Sequence, residues 1–177
     1  MLISDEYRQL NRDLHSDDPG YGVSVRTIET GLQIVSNLIE VTKAKTVLDY
    51  GCGKGKLIEA LQARWPAVAF SGYDPAVEQF NKEPSLSDVV ISFDVMEHIE
   101  PDCIVDVVCH IREMTRIAAM LGIATKPALK TLRDGRNAHL IVEPHVYWQD
   151  FLGQYMKVVH HEEYENSSVF VLQHRKG

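Results

Sequence analysis

Four groups of residues have types and spacings that could do chemistry. The first is Asp49-Tyr50-Gly51-Cys52-Gly53-Lys54-Gly55, an acid at the end of an apolar run followed by three alternating glycines. Glycine admits a ligand close to the backbone because no Cβ stands in the way, and the acid suits a ligand that is partly cationic. The second is Asp74-Pro75, an acid that ends the next apolar run. The third is Asp94-Val95-Met96-Glu97-His98, in which hard carboxylate oxygens and one imidazole suit a divalent ion, with His139 as a ligand from elsewhere. Without an ion, Glu97 and His98 have the chemistry to move a proton or to contact a ligand. The last is the segment 126–137, where Lys126, Lys130, Arg133 and Arg136 stand against one acid, Asp134. It would draw an anionic or polyhydroxyl molecule; the alternative is a solvated loop that turns at Asp134-Gly135.

The elements that position these groups alternate between strand and helix. Ile28, Leu32, Val35 and Ile39 recur at helical spacing, which predicts a helix over 24–41 after a polar leader that turns at residues 17–20. Residues 46–50 form a strand, and Leu57, Ile58, Leu61 and Trp65 the buried stripe of a helix that Pro66 stops. Further strands are expected at 68–73 and at 88–93, the second apolar on both faces as parallel strands are. Pro101 opens another helix, 120–125 is a short strand, 126–143 a loop, and Pro144 opens a helix carrying Trp148, Phe151 and Leu152. Segments 155–162 and 168–174 close the chain as an antiparallel pair, in which alternation sends His160 and His161 to opposite faces. This order predicts an α/β fold, a doubly wound and mostly parallel sheet whose ligands sit at the carboxyl ends of its strands. All four groups follow strand ends, so they should meet there.

At 177 residues and 45% apolar composition the chain forms one domain, with 1–23 as a polar leader or a cover for the site. Its formal charge of −7 argues against broad binding to nucleic acid or anionic membrane. No apolar stretch approaches the roughly 18 residues needed to span a bilayer, and the leader is not signal-like, so a cytoplasmic location is expected. Cys52, Cys103 and Cys109 suggest neither a disulfide framework nor a zinc site.

The glycine spacing separates two cofactor classes. A dinucleotide fingerprint needs Gly-x-Gly-x-x-Gly, whereas here Gly55 follows Gly53 by two positions. Asp49, placed before the first glycine, would repel a pyrophosphate but attract the ammonium and sulfonium of S-adenosylmethionine. From about Tyr21 onward the chain resembles the class I S-adenosylmethionine-dependent methyltransferases. The resemblance implies that Asp49 and the backbone of Gly51, Cys52 and Gly53 line the methionine part of the cofactor. It also implies that Asp74, with Pro75, holds the ribose hydroxyls, and that Phe93, Asp94 and Tyr21 border the site. One departure stands out: only 13 residues, 75–87, join Asp74 to the next strand, too few for the helix and third strand that most members have there. The third strand should be missing, which leaves Phe80 either covering the adenine or packing on the sheet edge. The edge left bare is a pairing surface for a homodimer.

The segment around Glu97 is similar to that of the metal-dependent small-RNA 2′-O-methyltransferases and of ubiquinone-pathway O-methyltransferases. That resemblance implies Mg²⁺ or Mn²⁺ held by Asp94, Glu97, His98 and His139, and assigns catalytic roles to Glu97, His98 and His139. The expected activity is transfer of a methyl group to an oxygen of a small or terminal polar or anionic acceptor, with Lys126, Arg133 and Arg136 as its contacts. Two alternatives stay open: a nitrogen methyltransferase, although Phe93-Asp94-Val95-Met96 stands where those acting on nucleic-acid amines have an Asp/Asn-Pro-Pro-aromatic motif, and a cofactor-binding subunit without turnover.

Overall fold

The structure is a computed structural model that describes residues 1–17 and 25–175. Its elements run α1 (Asp5–Asp17), α2 (Val25–Thr42), β1 (Thr46–Tyr50), α3 (Lys56–Arg64), β2 (Ala69–Tyr73), β3 (Ser87–Phe93), α4 (Ile104–Met114), β4 (Thr115–Ala124), α5 (His145–Tyr155), β5 (Lys157–Tyr164) and β6 (Ser167–Gln173). The strands form one sheet in the order β2-β1-β3-β4-β6-β5. β2, β1, β3 and β4 are parallel, β6 is antiparallel to β4, and β5 is antiparallel to β6. β1 and β3 are adjacent while the chain between them visits β2 on the far side, so strand order reverses there and a crevice opens above their carboxyl ends.

β-branched and aliphatic residues make the central strands because both faces are covered. On one face Val35, Leu38 and Ile39 of α2 and Leu61 of α3 pack on Val47, Val89, Ile91 and Met120. On the other, Ile104, Val107, Val108 and Ile111 of α4 and Trp148 and Leu152 of α5 pack on Leu48, Val90, Leu121, Phe170 and Leu172. Trp148 is wholly buried, a core residue rather than a wall of the site. His161 stacks on Phe170 with ring centroids 4.2 Å apart, while His160 is exposed, so the pair is divided as the alternation predicts.

Three expectations are corrected. The leader contains α1, whose Tyr7, Leu10 and Leu14 form a third apolar cluster with Leu132, Ala138 and Leu140 of the loop after β4. β4 starts at Thr115, five residues before position 120, because Arg116 anchors on Asp88 at the foot of β3 and brings Thr115 into register with Ser87. α4 starts at Ile104, since residues 101–103 form a turn after Pro101. Tyr21 and most of the turn expected at 17–20 lie outside the described residues.

Among the described residues no further strand follows β2 in the sheet, and β2 is an edge. The short crossover is tied down by backbone and side-chain hydrogen bonds instead. Asp74 N–H donates to the Phe80 carbonyl at 2.9 Å, and Glu83 pairs with His110 of α4 at 3.1 Å, whose other ring nitrogen meets the Tyr50 hydroxyl at 2.9 Å. Phe80 packs its ring on Gly55 and Gly72, the packing contact expected at the sheet edge. Among the described residues no helix is long and apolar enough to cross a membrane.

The end of β3 is fixed by contact with its neighbours. A Cβ on Gly122 would lie on the ring of Phe93, so the two strands fit only with glycine at 122. Gly122→Ala should therefore lower stability by about 1–3 kcal/mol, the usual cost of overpacking. Urea unfolding checks this; an unchanged midpoint would mean that Phe93 is free to move aside.

Candidate functional site

The crevice is floored by the turn after β1. Gly51 has φ 81° and Gly53 φ 51°, left-handed values that favour glycine, and a Cβ on Gly51 would overlap the methyls of Val95. The amides of Gly51 and Cys52 both donate to the Tyr73 carbonyl, which binds the turn to the tip of β2. There Asp74 accepts Gly53 N–H at 3.0 Å on Oδ2 and Ala76 N–H at 2.9 Å on Oδ1, the second bond closing a turn through Pro75. Each carboxylate oxygen keeps a further lone pair, so Asp74 can still accept two hydroxyls.

Asp49 lies buried beneath this turn, and burial, helped by the charge of Asp74, pushes its carboxyl up to about 7. Burial also raises the Cys52 thiol, with Asp49 and Asp74 adding to the effect, so Cys52 is a small apolar neighbour and not a nucleophile. Two acids around a glycine turn are a donor set for a ligand carrying a cation and hydroxyls. The residues present fit S-adenosylmethionine.

β3 leads into the second half of the site. Asp94 has φ 56°, a left-handed value that costs a non-glycine residue energy and clusters at functional positions. Phe93 on one side of it packs on Gly122 and Val95 on the other packs on Gly51, while Asp94 is exposed. The chain then makes a short 3-10 turn, Met96–His98.

Glu97 in that turn is wholly buried. Its Oε1 accepts Ala124 N–H at 2.8 Å and its Oε2 has no hydrogen-bond partner. Burial, then the charge of Asp94, pushes its carboxyl up to about 8. The Glu97 carbonyl accepts the amides of Leu140 and Ile141, so the loop after β4 folds back over the turn.

That loop carries His139. One ligand atom from each of Glu97, His98 and His139 lies within 4.8 Å of the others, and the two imidazoles meet edge to face with centroids 4.7 Å apart. Nδ1 of His98 is 2.8 Å from the Ala138 carbonyl, and Nδ1 of His139 is 2.6 Å from the Lys126 carbonyl. A carbonyl only accepts, so each ring must donate its Nδ1–H, and in the neutral ring that leaves the lone pair on Nε2. Histidines that bind metal are held in this way. An orphaned buried carboxylate oxygen beside two such rings fits a divalent cation. Asp94, expected as a fourth ligand, stands outside this group and acts on Glu97 through its charge.

The basic residues are placed differently from expectation. Arg133 reaches Asp13 at 2.8 Å and Asp17 at 2.7 Å on α1, and Arg136 pairs with Asp134 at 2.6 Å while lying over the Tyr7 ring, 5.8 Å from its centroid. The fold uses both guanidiniums to join the loop to α1: Arg133 through the helix carboxylates of Asp13 and Asp17, and Arg136, already paired within the loop, through the Tyr7 ring. Lys126 is exposed at the end of β4. Tyr7 also donates its hydroxyl to the His98 carbonyl at 2.5 Å, so α1 supports the site directly. The signal for it was in the chain: Tyr7, Leu10 and Leu14 have helical spacing.

Residues 31–150 match the model of a family described as a methyltransferase domain. Solved structures share the fold. The 1,6-didemethyltoxoflavin-N1-methyltransferase of Burkholderia thailandensis, with 1,6-didemethyltoxoflavin and S-adenosylhomocysteine bound, gives a TM-score of 0.69 at 13% identity over 99% of this chain and 92% of that one. The magnesium protoporphyrin IX methyltransferase of Synechocystis PCC 6803, with S-adenosylmethionine bound, gives 0.61 at 14% identity over 96% and 97%. An O-methyltransferase family protein from Burkholderia thailandensis gives 0.58 at 14% identity over 85% of this chain, which spans 59% of that longer protein.

The raised carboxyls have a consequence for stability. Asp49 and Glu97 lose their protons near pH 4 when unfolded but near 7 and 8 when folded, so between those limits the folded state binds more protons. Stability should therefore fall as pH rises from about 4 to 8 in the ligand-free, metal-free protein. Thermal melts across that range check it. Asp49→Asn and Glu97→Gln should each flatten the curve, and parallel curves for all three proteins would contradict the assignment.

Proposed function

The chain belongs to the methyltransferase domain family, and we propose that it transfers the methyl group of S-adenosylmethionine to a hydroxyl oxygen of a small or terminal polar acceptor, aided by a divalent ion on Glu97, His98 and His139. The observation that carries the reading is the Glu97 carboxylate, buried with its Oε2 unpartnered and offering an oxygen within 4.8 Å of ligand nitrogens of two imidazoles whose Nδ1–H groups are committed to carbonyls. Burying a carboxylate oxygen unmatched is costly, and a cation removes the cost. The two imidazoles suit Mn²⁺, and carboxylate oxygen suits Mg²⁺ as well.

Each part of the site has a role in an in-line displacement at the methyl carbon. Asp49 faces the ammonium end of the cofactor, Asp74 takes the ribose hydroxyls, and the Gly51–Gly53 backbone lies under the methionine part. When bound, S-adenosylmethionine supplies a methyl group on a positively charged leaving sulfur. When bound, the divalent ion lowers the pKa of the acceptor hydroxyl. Glu97, His98 and His139 then hold the acceptor side of the crevice, and Asp94, raised on its left-handed turn between the two halves, borders both. Holding donor and acceptor in line supplies much of the rate. Lys126 is the cation we assign to an anionic part of the acceptor, since Arg133 and Arg136 are engaged within the fold. The 1,6-didemethyltoxoflavin enzyme acts on a small molecule, which supports an acceptor of that size here.

Two tests separate donor from metal. Asp74→Ala removes charge-assisted hydrogen bonds worth about 1.5–3 kcal/mol each, so calorimetry should show S-adenosylmethionine binding at least 10-fold weaker; unchanged affinity would remove the ribose assignment. Methyl transfer from labelled S-adenosylmethionine to a panel of hydroxyl and amine acceptors should favour hydroxyls, stop with chelator and return with Mn²⁺ or Mg²⁺. Glu97→Gln should lower kcat by about 100-fold or more with cofactor affinity kept. Full activity in excess chelator, or transfer to amines alone, would overturn the reading.

A further inference from the structure

The two imidazoles are aimed by the loop after β4, and one side chain closes that loop. Asn137 accepts the Ala128 N–H and the His139 N–H on Oδ1, both at 2.9 Å, and donates from Nδ2 to the Ala128 carbonyl at 2.9 Å. Its amide thus pairs with Ala128 as a peptide unit of a neighbouring strand would. Farther out, the arms are joined by backbone bonds from Ala138 N–H to the Lys130 carbonyl and from Leu132 N–H to the Arg136 carbonyl.

The bracket sits between the two carbonyls that matter. Lys126, two residues before Ala128, takes the Nδ1–H of His139; Ala138, the residue after Asn137, takes the Nδ1–H of His98. Asn137 therefore sets the distance between the acceptors that fix both rings. It is half-buried, and its hydrogen bonds go to the backbone of Ala128 and His139, not to the carboxylate or ring groups of the site.

We propose that Asn137 is the positioning residue of this site: it holds the Lys126 and Ala138 carbonyls in place, and through them fixes the tautomer and direction of His139 and His98. The role rests on the metal reading only for its consequence, not for its geometry. Partners one bond removed from a metal ligand change affinity by about 10–100-fold when lost.

The test uses the full chain with two readouts. Long-range ¹H–¹⁵N spectra of the metal-free protein report the histidine tautomers; wild type should show His98 and His139 protonated on Nδ1. Asn137→Ala should turn both into tautomer mixtures and raise the Mn²⁺ dissociation constant, measured by electron paramagnetic resonance, about 10–100-fold, with S-adenosylmethionine affinity within a factor of about two. Asn137→Asp loses the Nδ2 donor and sets a carboxylate oxygen against the Ala128 carbonyl, so its tautomers should also become mixed, and it serves as the test if the alanine variant does not fold. Unchanged tautomers in Asn137→Ala, or in Asn137→Asp alongside an unfolded alanine variant, would overturn the positioning role. Wild type that shows the two tautomers but binds no Mn²⁺ would overturn the metal reading and leave the positioning role standing.

Discussion

Two carboxylates held out of water at the mouth of one crevice, Asp49 and Glu97, constrain the rest of the site. Each is pushed far above the ordinary carboxyl range, and in each case burial is the larger cause and a second acid, Asp74 or Asp94, the smaller. A buried acid is tolerated when it stays protonated or when a cation joins it. The fold puts the acids on adjacent strands, one at the end of β1 and one just past the end of β3, so a cationic donor and a cationic metal would relieve them side by side. The cost of burying these carboxyls is free energy that a cationic ligand would recover on binding.

Holding two such groups in place requires the backbone around them to be rigid, and the contacts are of that kind. Val95 fills the space over Gly51, which locks the turn after β3 against the turn after β1, and Phe93 fills the space over Gly122. Asp94, between them, takes a left-handed conformation it would not choose alone. Packing thus forces an exposed carboxylate to the join between the cofactor half and the acceptor half. On the acceptor side, α1 supports the site through Tyr7 and the loop after β4 supports it through Ala138 and Lys126, and the Arg133 ion pairs hold these two supports together.

Much of this was legible in the chain. Apolar runs ending in Asp49, Asp74 and Phe93 located three parallel strands, and the 13 residues after Asp74 were too few for a further one, as the sheet order bears out. Glu97, His98 and His139 could be named as a group because their chemistry is in their residue types. What sequence could not supply is which of them meet: Asp94 falls outside the trio and reaches Glu97 only through its charge. Nor could it show that Arg133 is engaged, because its partners Asp13 and Asp17 lie more than a hundred residues earlier, or that Arg136 pairs with Asp134 and lies over the Tyr7 ring. α1 was obscured by its polarity, its few apolar residues serving the loop and not the main core. Asn137 carries no chemical signature at all; its role exists only in three hydrogen bonds.

The central claim is that Glu97, His98 and His139 form a cation site beside a methyl donor. Crystals grown with S-adenosylhomocysteine and Mn²⁺, with diffraction recorded at the manganese edge, test it most directly. The account predicts an anomalous peak about 2.1–2.3 Å from Glu97 Oε2 and the Nε2 atoms of His98 and His139, distances typical of hard divalent ions, with the ribose on Asp74. A cofactor in place and no peak among those three side chains would contradict it.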